Sequence, residues 1–170
     1  EITTRLFSTD SPVSYAGKHF SLDEAVLLPR PARAGGPPIL IGGSGEKVTL
    51  KLAAQHADIW NHQAARQFEL PKKIEVLKQR CAEVGRDFST LTVSQQCLVT
   101  IAPDEASAAP MIDTAKKIFG GHMGDPTGPL AIAGSPERVR EQIQKHVDLG
   151  CTMFLMEFFG RETITPAKLF

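Results

Sequence analysis

Neither sign of charge is in excess in this sequence: lysine and arginine together number 19, and so do aspartate and glutamate. A protein that binds nucleic acid through its phosphates usually carries a basic surplus, so the balance argues against such a partner. Long apolar runs are also missing, since none approaches the roughly 20 residues of a membrane-spanning helix. We therefore expect a globular protein that binds neither nucleic acid nor membrane.

Cysteine is scarce, with only Cys81, Cys97 and Cys151 in the chain. Their odd number and their positions inside apolar patterns predict buried free thiols rather than disulfides. The 5 histidines show no metal-ligand spacing with each other or with cysteine, so no metal site is predicted. Free thiols are typical of a reducing compartment, and we expect a cytoplasmic location.

From residue 39 onward, the apolar periodicity alternates between that of a strand and that of a helix. Strands are predicted over residues 39–41, 58–61, 91–101 and 153–159. Helices are predicted after residue 46, over 70–84, from Glu105, and from Pro136 to about Gly150. This alternation favours an α/β fold with a parallel sheet and outer helices. Four such βα units make half of an eight-stranded barrel, which typically takes roughly 250 residues.

Particular positions in these helices carry further expectations. Asp104 and Ser135 are predicted N-caps, and Pro110 is expected to kink its helix or reset its start. The apolar positions expected to be buried are Val48 and Leu52 with Leu50, Ala54 and Ala57; then Leu70, Ile74, Leu77, Cys81 and Val84; and then Val139, Ile143 and Val147. The nearly continuous apolar run from Met153 predicts a strand covered on both faces.

Residues 1–38 read differently: a helix end over 2–7, a small hairpin with its turn at Gly17, and a proline-rich connector over 29–38. We assign 1–38 and 39–170 to one barrel domain. Glu1 is not an initiator methionine, and Thr165 with Pro166 predicts a new helix close to the last residue. We therefore expect that the chain is part of a longer protein.

The first strand ends in a glycine-rich turn made of Gly42, Gly43, Ser44, Gly45 and Glu46. One interpretation is an anion cradle, because glycines admit a ligand to the backbone and a helix N-terminus attracts phosphate. The other is a tight turn that uses glycine only for its positive φ. The spacing matches neither the P-loop nor the GxGxxG pattern, whose third glycine is replaced by Val48. The expected place of this turn at the carboxyl edge of the sheet favours the ligand-binding interpretation.

Other polar residues are candidates at the same edge. Asn61 ends the second strand, where it could bind a ligand or cap local backbone, whereas the neighbouring Trp60 is predicted to lie in the core. Ser94 and Gln96 should point into the barrel. Weaker candidates are Glu157, expected in an ion pair or near the wet rim; His122 and Met123, in a lid or an ordinary loop; and Lys47 and Arg161, facing phosphate or solvent.

Five motifs in register resemble the luciferase-like monooxygenase family, most closely its branch of deazaflavin (coenzyme F-420)-dependent oxidoreductases. They are Tyr15–Phe20, Pro38–Glu46, Ala57–Asn61, Gly134–Val139 and Gly150–Phe154, and they cover nearly the whole chain. The resemblance implies a (β/α)8 TIM barrel with this chain as its C-terminal half. It also implies a flavin or deazaflavin across the barrel mouth, its phosphate held by amides of the Gly42–Glu46 loop and Asn61 beside it. The family's catalytic side chains lie on strands outside this chain, so none is assigned here.

Three functions remain open from the sequence. The leading one is an oxidoreductase that exchanges hydride between coenzyme F-420 and a small organic substrate. A second is an FMN-dependent luciferase-like monooxygenase, and a third is a non-catalytic flavin-binding protein on a shortened barrel. The resemblance also makes a homodimer possible.

Overall fold

The computed structural model describes residues 1–160 and 164–170, and it forms two compact units, residues 1–38 and 39–170. The first unit contains α1 (Ile2–Ser8) and an antiparallel hairpin of β1 (Val13–Ala16) and β2 (Ser21–Ala25). The predicted helix end and hairpin are confirmed. That both units belong to one barrel domain stays a prediction.

The second unit follows the predicted alternation of strands and helices, with one additional strand. Its elements are β3 (Leu40–Gly42), α2 (Thr49–His56), β4 (Ile59–His62), α3 (Leu70–Glu83), β5 (Thr92–Ile101), α4 (Glu105–Phe119), β6 (Ile132–Gly134), α5 (Pro136–Asp148), β7 (Met153–Phe158) and α6 (Ile164–Leu169). Short 3₁₀ turns at Ala64–Glu69 and Phe88–Thr90 precede α3 and β5. Within the described ranges, no helix is long and apolar enough to cross a membrane.

The sheet is parallel and runs β3-β4-β5-β7, with β6 added at the far end of β5. Val99 pairs with Ile132 of β6 and with Phe158 of β7, so these two strands lie on opposite edges of β5. Strand β6 therefore lies along the same edge of β5 as β4 does. Strand β6 was not predicted, because its three residues, Ile132, Ala133 and Gly134, are too few to show the periodicity of a strand.

One row of paired residues crosses the four main strands: Gly42, Asn61, Ser94 and Met153. Because side chains alternate along a strand, these residues share one face of the sheet. The opposite face packs against the helices, and Trp60 is fully buried there, as predicted. All three cysteines are buried and free, which confirms that prediction.

The buried helix faces were predicted only in part. Helix α2 buries Leu50, Ala53 and Ala54, whereas Val48 and Leu52 are exposed. The helix begins at Thr49, so Val48 is its N-cap, and the small alanines bring the helix close to the sheet. Two further apolar residues expected in the core are also exposed: Val84, which follows the end of α3, and Val147 in α5, where buried Gln142 and His146 replace it.

Two further predictions need correction, one about Pro110 and one about the last strand. Helix α4 begins at Glu105 and continues through Pro110, so the proline does not reset its start. Strand β7 is not covered on both faces, because Phe154, Met156 and Phe158 pack on the helices while Leu155 and Glu157 are exposed. Glu157 is exposed, in agreement with the alternative of a place near the wet rim, and makes no ion pair with any described residue.

Candidate functional site

The glycine-rich loop between β3 and α2 depends on glycine for its shape. Gly43 has φ +117°, and a Cβ at this position would lie 3.3 Å from Cγ2 of Thr49. A Cβ on Gly45 would lie 3.0 Å from Oγ1 of the same threonine. The loop therefore does need glycine for a tight turn, because Gly43 combines a positive φ with a close neighbour.

Three carbonyl groups of the loop point back into the protein, each toward a donor of its own. The Gly43 oxygen accepts a bond of 2.7 Å from the indole Nε1 of Trp60. The Gly45 oxygen accepts a bond of 2.9 Å from the Leu50 amide. The Glu46 oxygen accepts a bond of 3.3 Å from Nε of Arg80. The loop is thus held from behind by the core, by its own helix and by α3.

The orientation of these carbonyls fixes the orientation of the amides that follow them. In a planar trans peptide the C=O and the next N–H point in opposite directions, and the only cis bond among the described residues is Leu28–Pro29. The N–H groups of Ser44, Glu46 and Lys47 therefore point away from the protein. In the described part of the chain, no amide of residues 44–48 donates a hydrogen bond. Unpaired amides that lie close together in a turn are donors that suit an anion.

Two of the predicted loop residues contribute differently. Gly42 is the last residue of β3 and pairs with Asn61 in the sheet. The amide of Gly43 is already used, since it donates a bond of 3.1 Å to the carbonyl of Asn61. The outward-facing set therefore starts at Ser44, whose half-buried hydroxyl makes no hydrogen bond to a described residue.

Asn61 lies beside this loop and is almost fully buried. Its Oδ1 accepts a bond of 3.0 Å from the hydroxyl of Ser94, which is its partner in the sheet register. Its Nδ2 has no partner among the described residues. The two interpretations of Asn61 are thus compatible, because its carbonyl supports the loop while its side chain keeps an unused donor on the inner face.

The carboxylate of Glu46 points toward α3 rather than toward the outward amides. Its Oε1 lies 2.7 Å from Nζ of Lys73 and 3.5 Å from Nζ of Lys72. Lys73 is also 3.2 Å from Oε2 of Glu69, and only 9% of its side chain is exposed. The hydrogen bond with Lys73 lowers the pKa of Glu46, and the same bond raises the pKa of Lys73. Both groups are therefore charged at neutral pH.

A buried histidine, His62, lies next to Asn61 on the helix-facing side of β4 and was not among the site residues predicted from the sequence. The Nδ1 of His62 is 2.9 Å from Oε1 of Gln95 and must donate, because a carbonyl oxygen can only accept. Its Nε2 is buried without a partner in the described ranges. Burial lowers the pKa of His62, so the ring is neutral. The available signal was Gln95, a polar interruption of an apolar face in register with His62.

The remaining candidates do not gather around this loop. His122 is exposed with its ring 5.6 Å from that of Phe119, and Lys47 is exposed without an ion pair to a described residue. Arg161 lies outside the described residues. An apolar cleft of about 710 Å³ lies between α4 and the end of β7, with Glu157 in its wall. Residues 1–160 and 164–170 contain no group of three His, Cys, Asp or Glu side chains that could hold a metal.

Comparison with known proteins gives these features a context. A sequence model of the luciferase-like monooxygenase family matches residues 1–129. The chain is similar to a solved F-420-dependent secondary alcohol dehydrogenase in complex with an F-420–acetone adduct, with a TM-score of 0.74 and 20% identity over 97% of this chain and 56% of that one. It is also similar to the coenzyme F-420-dependent tetrahydromethanopterin reductase from Methanopyrus kandleri, with a TM-score of 0.72 and 18% identity over 99% and 58%.

A third similar structure is the monooxygenase RslO1 from Streptomyces bottropensis, with a TM-score of 0.72 and 17% identity over 98% of this chain and 56% of that one. At this level of identity the likeness concerns the fold, and it confirms the predicted luciferase-like barrel architecture. The chain spans about half the length of the solved chains that it matches.

Proposed function

The chain belongs to the luciferase-like monooxygenase family, and we propose that its glycine-rich loop binds the phosphate of a flavin-type cofactor, the deazaflavin coenzyme F-420, in an oxidoreductase. The observation that carries this proposal is the orientation of the loop. The carbonyls of Gly43, Gly45 and Glu46 are bonded on the protein side, so the amides of Ser44, Glu46 and Lys47 are left as donors on the other side.

The donor set suits a phosphate group. The amide N–H groups of the loop just before α2 carry partial positive charge and need no counterion, and the dipole of the helix that follows adds to their attraction for an anion. The absence of a Cβ at Gly45 leaves the backbone open to close approach. Asn61 adds a neutral donor on the inner face of the sheet, at the height where β3 ends. We infer that Asn61 binds a polar group of the same cofactor.

The cofactor, when bound, supplies hydride transfer, and the protein supplies position. In this division of labour Ser44, Glu46 and Lys47 fix the anionic end through their amides. The neighbouring Asn61 orients the part of the cofactor that lies over the sheet. The substrate of this proposal is a small organic molecule, and the catalytic side chains come from outside this chain. A homodimer remains a prediction.

A second candidate is an FMN-dependent monooxygenase, since one of the similar structures is a monooxygenase and the amide cradle would accept either phosphate. Titration of the purified protein with coenzyme F-420 and with FMN, followed by absorbance and fluorescence, separates the two. Tighter binding of F-420 is expected. Tighter binding of FMN would favour the monooxygenase, and binding of neither would contradict the proposal.

The cradle itself is tested by Ser44→Asp and Gly43→Val. We expect Ser44→Asp to weaken cofactor binding by about tenfold or more, because like charge is placed beside the phosphate. Gly43→Val should weaken it further, since a branched side chain at φ +117° distorts the loop. Dissociation constants are measured by fluorescence titration, and thermal melting shows whether each variant is folded.

The matched control is Ser107→Asp, which introduces the same charge at an exposed position in the first turn of α4. Its cofactor affinity should equal that of the wild type. Unchanged affinity in folded Ser44→Asp and Gly43→Val proteins would show that the loop does not hold the phosphate.

A further inference from the structure

We propose that Lys73 of α3 is a positioning residue for the cofactor loop, acting through Glu46 to keep the loop's amides turned outward. This inference rests on the proposed phosphate site and extends it to a side chain that does not touch the cofactor.

The contacts place Lys73 directly behind the loop. Its ammonium group is almost enclosed, with 9% of the side chain exposed, and lies 2.7 Å from a carboxylate oxygen of Glu46. A second carboxylate, that of Glu69, lies 3.2 Å away on the preceding turn of the chain. A lysine held between two carboxylates in this way has few alternative conformations, so it fixes the position of the Glu46 side chain.

The same helix also fixes the main chain of Glu46. Arg80 is seven residues after Lys73, two helical turns away on one face, and its Nε donates to the Glu46 carbonyl. Leu77 lies between them and is fully buried in the core, so this face of α3 is anchored to the second unit. One helix therefore holds both the side chain and the carbonyl of the residue whose amide faces outward.

Because Glu46 is negatively charged, its contact with Lys73 should affect the binding of an anionic ligand. An acidic side chain in a phosphate-binding loop repels the phosphate unless a cation neutralises it. Lys73 draws the carboxylate toward α3 and balances its charge. Loss of Lys73 would leave the Glu46 carboxylate next to the cradle with only the exposed Lys72, 3.5 Å away, as a counterion, so the harm done by that loss should depend on Glu46 keeping its charge.

This dependence allows a test by a double-mutant cycle in the purified protein, with coenzyme F-420 or FMN as the ligand, whichever binds more tightly. Lys73→Met should weaken binding about tenfold. Glu46→Gln alone should weaken it by about threefold or less, because it removes the anchor and the repulsion together. The double variant Lys73→Met/Glu46→Gln should bind at least about threefold more tightly than Lys73→Met.

The matched control is Lys78→Met on the same helix, whose ion pair with Glu75 is exposed. Its affinity should equal that of the wild type. Thermal melting of each variant reports folding, and if Lys73→Met is unfolded, Lys73→Gln removes the same charge while keeping a hydrogen-bond donor. Lys73→Arg should retain wild-type affinity.

Two results would overturn the inference: wild-type affinity in folded Lys73→Met, or a double variant that binds no better than Lys73→Met, as a merely structural role would give. Ser44→Asp separates this failure from failure of the cradle. If Ser44→Asp weakens binding and Lys73→Met does not, the cradle stands and the role of Lys73 is wrong. If neither weakens binding, both proposals are wrong.

Discussion

A single tryptophan shows how one residue can serve the core and the loop together. The ring of Trp60 is fully buried against α2 and α3, and its Nε1 donates to the carbonyl of Gly43. Tryptophan combines a large apolar surface with one hydrogen-bond donor, the indole N–H, and this donor needs an acceptor when it is buried. Here the partner is the carbonyl of Gly43, and the amide in the same peptide group is that of Ser44, the first outward-facing amide of the loop.

Replacement of Trp60 by phenylalanine tests this role. Trp60→Phe keeps an aromatic ring but leaves the Gly43 carbonyl without its buried donor, so we expect a loss of about 1–3 kcal/mol in unfolding free energy. Cofactor binding should also weaken by about threefold or more, because the peptide before Ser44 is free to rotate. Urea unfolding and fluorescence titration measure the two effects.

The control is Val93→Ala, which removes buried methyl groups from the same core without a hydrogen bond to the loop. It should lower stability and leave the affinity for cofactor unchanged. If Trp60→Phe, like the control, lowers stability but leaves the affinity for cofactor unchanged, the hydrogen bond of the indole does not orient the loop.

At the scale of secondary-structure elements, the starts of the helices follow local rules. Asp104 precedes α4 and its Oδ1 accepts a bond of 2.8 Å from the Ser107 amide, while Ser135 caps α5 by accepting from the Arg138 amide. Both caps were predicted from sequence, because a cap needs only a short polar side chain in register with its own helix. Glu105 connects the two helix starts, since it accepts a bond of 2.7 Å from the Ser135 amide.

Removal of the first cap gives an element-scale prediction. Asp104→Ala should lower the melting temperature by about 3–6 °C, because the amide of Ser107 loses its acceptor at the start of α4. The backbone hydrogen bond from Ser107 lowers the pKa of Asp104, so this stabilisation is present above the unfolded pKa of 3.8 and is lost as pH falls through the lower folded value.

Asp113→Ala is the comparison, since Asp113 is exposed inside the same helix and makes no hydrogen bond or ion pair with a described residue. That variant should melt close to the wild type at neutral pH. Equal melting temperatures for the two variants would contradict the assigned cap.

At the scale of the whole molecule, two buried neutral histidines make stability depend on pH. His62 bonds to Gln95, and His146 lies between Gln67 and the carbonyl of Gln142. Burial lowers the pKa of both rings below the ordinary 6.5. The unfolded chain therefore binds protons that the folded chain does not, so stability is complete above pH 6.5 and falls as pH drops below it.

Each histidine contributes a slope of up to about 1.4 kcal/mol per pH unit at pH values between its lowered folded pKa and 6.5. His62→Gln should reduce this slope, because one of the two groups is gone. Urea unfolding measured at several pH values checks the prediction. A wild-type stability that is flat from about pH 7 to 5 would contradict the prediction. Carboxylates with lowered pKa, such as Glu46, do not account for a fall in this range, because they affect stability only below 4.5.

Local signals in the sequence were sufficient for the order of the strands and helices in the second unit other than β6, for the helix caps and for the position of the glycine-rich loop. Each depends on residues within a few positions of one another, so periodicity and capping rules apply. The motifs in register were also sufficient for the family, which the match over residues 1–129 confirms.

Only the tertiary structure decided which way the loop faces. The indole of Trp60 reaches Gly43 from 17 residues away, Lys73 reaches Glu46 from 27, and Arg80 reaches it from 34. The same holds for β6 and for the His62–Gln95 pair. These contacts depend on how separate elements pack in three dimensions, and no local periodicity encodes the direction of a peptide carbonyl.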